Sequence, residues 1–175
     1  MKIVDLKTDN RKDNNNVGRA IPVFGWRAEG TERNIRQKSY RLQVWKTESP
    51  EEILAEPFPV WDSGTVCSSS MANIPYEGKK LDSGSRYRWQ VECTLDYEDG
   101  EKNTTEEAWF ETGLFSMDDW KGCFIGETED HVYHLYRKAF TCERKVKKAR
   151  LYVCGLGHFE CWLNGKRVSD HVLEP

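Results

Sequence analysis

The fold is decided by residues 81–95, which read LDSGSRYRWQVECTL. From position 87 onward apolar and polar residues alternate, so one face of the predicted strand is apolar and the other is polar. The apolar face carries Tyr87, Trp89, Val91, Cys93 and Leu95. A Ser-Gly pair at positions 83 and 84 is typical of a tight turn. The stretch therefore predicts a turn followed by a half-buried strand.

Shorter runs of the same character recur along the first two thirds of the chain. At residues 39–45, alternation places Tyr40, Leu42 and Val44 on one face of a predicted strand. Further strands are predicted at residues 21–27, 60–64 and 107–112, with a hairpin turn at 97–101. Residues 49–58 have room for one helical turn, but they are too short for a crossover helix. Short strands at this spacing predict an antiparallel β-sandwich.

The residues after this predicted sandwich form a second group of elements. They comprise a linker with one short turn at 113–120 and candidate strands at 133–140 and 147–153. Asn164-Gly165 lies between alternating runs, which is a strong hairpin signal because both residues tolerate positive φ. A hairpin cannot bury its apolar face alone. The sequence therefore predicts a second β-domain that these residues begin and do not complete.

Composition and charge exclude several classes of protein. The 175 residues are 38% hydrophobic and 12% aromatic, which is enough for a packed core. A net charge of −3 gives no electrostatic basis for binding nucleic acid or an anionic membrane. No apolar run approaches the ~20 residues of a membrane span, and the N-terminus lacks the apolar segment of a signal peptide. The six cysteines are therefore expected to be reduced thiols, and the protein is expected to be cytoplasmic.

The turn and strand at residues 81–95 resemble a feature of fibronectin type III domains. Leu81, the Ser-Gly turn and Tyr87 are similar to the tyrosine corner, in which a phenol hydrogen-bonds to the backbone of the preceding connection. The strand containing Phe24-x-Trp26 is similar to that family too. This resemblance covers residues 1–115 and implies a fibronectin-type-III-like antiparallel sandwich.

Four motifs in order carry a second resemblance. They are FETGL at 110–114, WK-x-x-x-IG at 120–126, ARLYVCGLG at 149–157 and LNGKRVSDHVLEP at 163–175. Together they resemble the N-terminal region of bacterial α-L-rhamnosidases. In that family a fibronectin-like domain precedes a jelly-roll domain, and an (α/α)6 barrel follows. The resemblance implies an all-β fold, with the sandwich at residues 1–115 and a truncated jelly-roll segment at residues 116–175.

The second resemblance also implies a function. In the family, an acidic pair in the barrel is expected to carry out inverting glycoside hydrolysis. That region lies outside these residues, so no catalytic residue and no cofactor are assigned, and the chain alone is expected to be inactive. Its expected role is to brace the catalytic barrel, with the rest of the enzyme, a second copy or a rhamnosylated carbohydrate as partner. The alternative is a free-standing carbohydrate-binding or protein-interaction module.

Two exposed aromatic residues are the candidates for carbohydrate contact. By alternation, Trp162 lies on the face opposite Cys161 and Leu163, so it is exposed if that face is core. Sugar rings present C–H faces that stack on aromatic rings, and Trp162 with Tyr152 is a candidate platform. The open alternative is that Trp162 packs against a further part of the protein or against the preceding domain.

The acidic pair in the linker and the histidine pair that follows it have simpler interpretations than a catalytic or metal site. Asp118 and Asp119 are expected to cap the turn before Trp120, since carboxylates accept hydrogen bonds from free backbone N–H groups. His131 and His134 are three residues apart and would face opposite sides of a strand. No metal site is therefore predicted there.

The remaining reactive or charged groups are interpreted in the same way. Cys161, although close to His158, lies on the apolar face and is expected to be a small core residue. The basic run at residues 144–150 is expected to be a solvated edge that discourages aggregation. Neither pattern predicts a catalytic or ligand-binding site.

Overall fold

The computed structural model of the chain describes residues 2–11, 15–30, 35–48, 58–97, 100–126, 134–146 and 148–169. It divides into two compact units, Met1–Ile125 and Gly126–Pro175. Within the described residues, no helix is long and apolar enough to cross a membrane. The predicted domain boundary between residues 115 and 116 stays a prediction.

The first unit is a β-sandwich, which confirms the predicted all-β fold. Its strands are β1 (Lys2–Thr8), β2 (Val23–Glu29), β3 (Arg36–Lys46), β4 (Trp61–Asp62), β5 (Ile74–Pro75), β6 (Arg86–Tyr97) and β7 (Gly100–Glu111). One sheet has the strand order β1-β2-β5, and the other has the order β4-β3-β6-β7. Neighbouring strands in both sheets are antiparallel.

Strand β6 lies in the middle of the larger sheet and shows the predicted alternation. Its buried side chains are Tyr87, Trp89, Val91, Cys93 and Leu95. On either side, Trp89 pairs with Val44 of β3 and with Ala108 of β7. Because both edges of β6 are hydrogen-bonded and one face is covered, its register is fixed by the sequence pattern.

Aromatic rings fill the space between the sheets. The ring of Phe24 lies 4.7 Å from Trp89, 6.0 Å from Phe110 and 6.5 Å from Tyr76, measured between centroids. The contacts with Phe110 and Tyr76 are edge-to-face. Such pairs add about 0.5–1.5 kcal/mol each beyond the area they bury. The Phe24-x-Trp26 strand therefore supplies the centre of the core.

A buried amide pins a long connection to the core. A bulge in β3 after Gln37 accompanies burial of this side chain, which is 3% exposed. Its Oε1 accepts hydrogen bonds from Trp26 Nε1 at 2.9 Å and from the Cys93 thiol at 3.2 Å. Its Nε2 donates to the carbonyl oxygens of Ser68 and Ser70. All four bonds are internal, so the polar group is satisfied in the core.

The six cysteines are unpaired in the structure. Cys93 is buried, and burial raises the pKa of its thiol to about 12. Cys161 is half-buried, so the prediction of a small core residue is not met in full. The predicted cytoplasmic location stays a prediction.

Three elements of the first unit either were not predicted from the sequence or fall on residues outside the described ranges. Strand β1 was not predicted, because its alternation is interrupted by a bulge between Val4 and Lys7 and by a positive φ at Asp5. Strand β5 has only two residues, too few for a pattern. The helical turn predicted within residues 49–58 falls almost entirely outside the described residues.

The second unit contains a short ribbon formed by β8 (Trp162–Leu163) and β9 (Lys166–Arg167). Its turn residues, Asn164 and Gly165, have φ values of 50° and 76°, which confirms the predicted hairpin. The strands predicted at 133–140 and 147–153 are wrong, since residues 134–140 and 148–153 form no strand. Alternation chooses the faces of a strand but not its partner. Among the described residues of the second unit, the strand pairing present is the one that a two-residue turn enforces.

Candidate functional site: the exit junction and the Trp162 hairpin

The first candidate site is the place where the chain leaves the sandwich. We call it the exit junction and define it as residues 81–85, which precede β6, together with residues 111–119, which follow β7. Gly84 has a φ of 60°, so the predicted Ser-Gly turn uses a backbone conformation that glycine adopts without strain. The N–H of Gly84 donates to the Gly113 carbonyl at 3.0 Å, which joins the two segments.

Tyr87 ties the first segment to the sheet. The backbone N–H of Asp82 donates to Tyr87 Oη at 2.8 Å, as the tyrosine-corner resemblance implied. Tyr87 is 2% exposed, and this burial raises the pKa of its phenol. The phenol is therefore neutral at ordinary pH and holds the connection through one hydrogen bond.

Thr112 ties the second segment to the first. Its hydroxyl Oγ1 donates to the Asp82 carbonyl at 2.7 Å and accepts from the Ser85 N–H at 2.9 Å. Its own N–H donates to the Ser85 carbonyl at 2.9 Å. Thr112 is buried, so these bonds are shielded from water. They explain the threonine of the FETGL motif.

The glycine of the same motif lies against the loop before β2. The N–H of Gly113 donates to the Val17 carbonyl at 2.9 Å. A Cβ added at Gly113 would overlap Asn16 Oδ1. A side chain at this position would require the exposed Asn16 side chain to move aside, whereas the nearest backbone atom, the Val17 carbonyl oxygen, lies 3.6 Å from the added Cβ.

A buried ion pair lies beside the junction on the outer face of the larger sheet. Arg86 Nε donates to Glu111 Oε1 at 2.6 Å, and both side chains are largely buried. The guanidinium of Arg86 also lies over the ring of Trp109, 4.9 Å from its centroid. The glutamate of the FETGL motif thus anchors the end of β7 to the start of β6.

The short turn after β7 is held by one carboxylate. Residues Met117–Asp119 form a 3-10 helix, and Asp119 Oδ2 accepts from the backbone N–H of Ser116 at 3.0 Å. It also accepts from the Ser83 hydroxyl at 2.7 Å. Hydrogen bonds from Ser83 and Ser116 keep the pKa of Asp119 below its usual range. Capping by Asp119 is confirmed, whereas the contact with Ser83 was not predicted, because 36 residues separate the two.

The second candidate site is the Trp162 hairpin, which we define as residues 160–167. Trp162 is 58% exposed, and its Nε1 donates to Glu160 Oε2 at 3.3 Å. Glu160 also forms an ion pair with Arg167 at 3.2 Å. Leu163, on the predicted core face, is exposed as well. The hairpin therefore presents an aromatic ring flanked by charged groups to solvent.

Tyr152, the other predicted carbohydrate-contact residue, is 38% exposed. In the part of the chain that the structure describes, no ring contact joins Tyr152 to Trp162. Their role in carbohydrate contact stays a prediction.

The histidine pair and the basic run are described only in part. His131 lies outside the described residues, and His134 stacks on Tyr136 with 6.1 Å between ring centroids. Within the described ranges, no cluster of three or more histidine, cysteine or acidic side chains could hold a metal ion. The described residues of the basic run at 144–150 are exposed, but none of them lies in a strand, so these residues form no sheet edge.

Comparison with known proteins identifies both parts of the chain. Residues 3–116 match the family described as Rha78A-like, N-terminal immunoglobulin domain. Residues 144–175 match the family described as alpha-L-rhamnosidase N-terminal domain. The matches lie in the order that the motifs FETGL and LNGKRVSDHVLEP implied.

Individual relatives give the same result. An alpha-L-rhamnosidase of Formosa agariphila is 34% identical over 168 residues, which cover 89% of this chain and 18% of the relative. The structure of an alpha-L-rhamnosidase from Dictyoglumus thermophilum is similar with a TM-score of 0.57 and 31% identity, covering 69% of this chain and 13% of that one. The fold also resembles that of a Streptomyces avermitilis alpha-L-rhamnosidase, with a TM-score of 0.58, 24% identity, and coverage of 69% and 11%. The chain thus spans about a fifth of the length of the curated relative. It belongs to the family of Rha78A-like N-terminal immunoglobulin domains and corresponds to the N-terminal region of an α-L-rhamnosidase.

Proposed function

We propose that this chain is a non-catalytic accessory segment that braces the catalytic part of an α-L-rhamnosidase. The observation that carries the proposal is the ordered match to two N-terminal families on one chain. The curated relatives are named alpha-L-rhamnosidase, and 18% of the length of one of them aligns with this chain. Most of such an enzyme, including the region that performs hydrolysis, is expected to lie beyond these residues.

The exit junction supports the bracing part of the proposal. A domain that braces another one must hold the connecting chain in a fixed direction, since a loose connection transmits no restraint. Here the backbone bonds of Thr112 and Gly113 and the Ser83–Asp119 contact hold the chain where it leaves the last strand. The sandwich thus has the rigid exit that a brace requires.

An activity assay tests the non-catalytic part. The purified chain, incubated with 4-nitrophenyl α-L-rhamnoside, is expected to release no nitrophenol above a buffer blank. A mock purification from cells without the expression plasmid serves as the control for host enzymes. Turnover that co-purifies with the chain and scales with its concentration would overturn the proposal.

The bracing part is tested in the full reading frame. An enzyme lacking residues 1–115 is expected to lose activity at a lower temperature than the complete enzyme. Its kcat per folded molecule at low temperature is expected to be retained, because no catalytic group is removed. An unchanged inactivation temperature, or an in-frame stop codon directly after residue 175, would contradict bracing.

The alternative function is a carbohydrate-binding module, and the exposure of Trp162 favours it. A ring that is 58% exposed beside Glu160 and Arg167 offers stacking together with hydrogen bonding. Titration with L-rhamnose, followed by isothermal titration calorimetry, tests this role, because that readout does not depend on the Trp162 fluorophore. Binding that is lost in Trp162→Ala and kept in Leu163→Ala, on the opposite face of the hairpin, would support it. Equal responses of the two variants would refute it.

A further inference from the structure

The turn that follows the sandwich is attached to it by the hydrogen bonds of a single side chain. Among the described residues, Ser83 makes every hydrogen bond that joins residues 114–120 to the rest of the sandwich. Its hydroxyl donates to Asp119 Oδ2 at 2.7 Å and accepts from the Phe115 N–H at 2.9 Å. The other hydrogen bonds of this segment are internal to it, such as that from the Trp120 N–H to the Met117 carbonyl.

The two partners of the Ser83 hydroxyl reinforce each other. Asp119 Oδ2 lies 3.1 Å from the Phe115 nitrogen, so Ser83 and Asp119 share that N–H. The carboxylate is ionised at neutral pH, and hydrogen bonds to a charged acceptor are about twice as strong as neutral ones. One hydroxyl and one carboxylate therefore close a compact cluster that depends on both members.

We propose that Ser83 is a positioning residue that latches residues 114–120 onto the sandwich. Loss of its hydroxyl releases this segment while the sandwich itself stays folded, because Thr112 and Gly113 keep their own bonds. The latch fixes the direction in which the chain leaves the domain. This positioning of residues 114–120 by Ser83 deepens the proposed bracing role. Its purpose rests on that proposed function, whereas the hydrogen bonds of Ser83 do not depend on it.

Hydrogen exchange of the 175-residue chain tests the latch directly. In Ser83→Ala, the amide proton of Phe115 is expected to exchange roughly tenfold faster, since it loses the nearer of its two acceptors, Ser83 Oγ at 2.9 Å, and keeps only Asp119 Oδ2 at 3.1 Å. Exchange of the core amides of Val91 and Leu95 is expected to be unchanged. Ser83→Thr keeps a hydroxyl and is expected to restore the protection of Phe115.

The matched control is Ser85→Ala. Ser85 belongs to the same connection, but its hydroxyl bonds to the Ser83 carbonyl at 3.2 Å and not to residues 114–120. Equal acceleration at Phe115 in this control, or none in Ser83→Ala, would overturn the proposal. So would acceleration of the core amides to the same extent.

A second variant keeps the test available if Ser83→Ala fails to fold. Asp119→Ala changes a residue outside the two sheets and is expected to accelerate exchange at Phe115 and Ser116. Unchanged exchange in this variant would refute the latch. The result is independent of the accessory role: turnover of an aryl rhamnoside by the chain would refute that role and leave the latch untouched.

Discussion

Replacing Tyr87 with phenylalanine removes one hydroxyl from the exit junction and leaves the ring in place. The lost contact is the 2.8 Å hydrogen bond from the Asp82 N–H to Tyr87 Oη. A net hydrogen bond contributes about 1 kcal/mol, and a stranded buried donor costs about 1–3 kcal/mol. Asp82 is itself exposed, so water can replace part of the lost acceptor. We therefore expect the free energy of unfolding to fall by about 1.5 kcal/mol.

The chain supplies a matched control in Tyr76. This residue is also 2% exposed, but its buried Oη has no hydrogen-bond partner among the described residues. Tyr76→Phe removes an unsatisfied polar atom, so the free energy of unfolding is expected to stay unchanged or to rise by up to ~1 kcal/mol. The same chemical change is thus expected to destabilise the fold at Tyr87 and not at Tyr76.

Urea unfolding followed by tryptophan fluorescence measures both variants, and thermal unfolding gives an independent value. For the 125 residues of Met1–Ile125, the entropy of unfolding is about 0.26 kcal/mol/K. A loss of about 1.5 kcal/mol then lowers Tm by roughly 6 °C. Equal shifts in Tyr87→Phe and Tyr76→Phe, or an unchanged Tyr87→Phe variant, would refute the reasoning.

Three further predictions concern other buried or charged groups. Gln37→Leu leaves an indole N–H and two carbonyl oxygens without their hydrogen-bond partner, so urea unfolding is expected to show a loss of about 2–4 kcal/mol in the free energy of unfolding. Gln90 is part-exposed, and Gln90→Leu serves as the control. A similar loss in the control would contradict the role of Gln37 as a buried hydrogen-bonding group. Hydrogen bonding by Arg41 is the main cause that lowers the pKa of Asp62 from 3.8 to about 2. The Asp62 carboxylate therefore stabilises the fold above pH ~4, and this stabilisation disappears as the pH falls towards 2. Asp62→Asn is accordingly expected to be about 1 kcal/mol less stable at pH 7, after allowance for solvent exposure, and equally stable near pH 2; a gap that persists in acid would disprove it. Native-state labelling with a thiol reagent is expected to modify the exposed Cys67 and to spare the buried Cys93. Fast labelling of Cys93 before unfolding would contradict the burial of its thiol in the core.

Much of the first unit could be predicted from local pattern. The alternation from Tyr87 to Leu95 specified a face, and the structure buries that face against the smaller sheet. The Asn164-Gly165 turn was equally predictable, because two residues with positive φ act without any distant partner. Strand β1 was not predictable, since its bulge at Val4 hides the alternation and its pairing with β2 is set by tertiary contacts.

The exit junction was predictable only in part. A Ser-Gly turn, a tyrosine at a strand start and a capping aspartate are local signals, and each was found where expected. The sequence does not show that Ser83 meets Asp119 or that Thr112 bonds to Asp82, because these partners lie 30 or more residues apart. Such pairs are brought together by the packing of the sheets.

By itself the sequence determined which faces are apolar, where the tight turns fall, and which family the ordered motifs resemble. These properties depend on side-chain period and backbone conformation, which act over a few residues. Only the tertiary structure decided which strands pair, that Gln37 is satisfied inside the core, and that one serine hydroxyl holds the turn after the sandwich. These outcomes depend on groups that are distant in sequence, and they become definite only when the two sheets pack around the aromatic core.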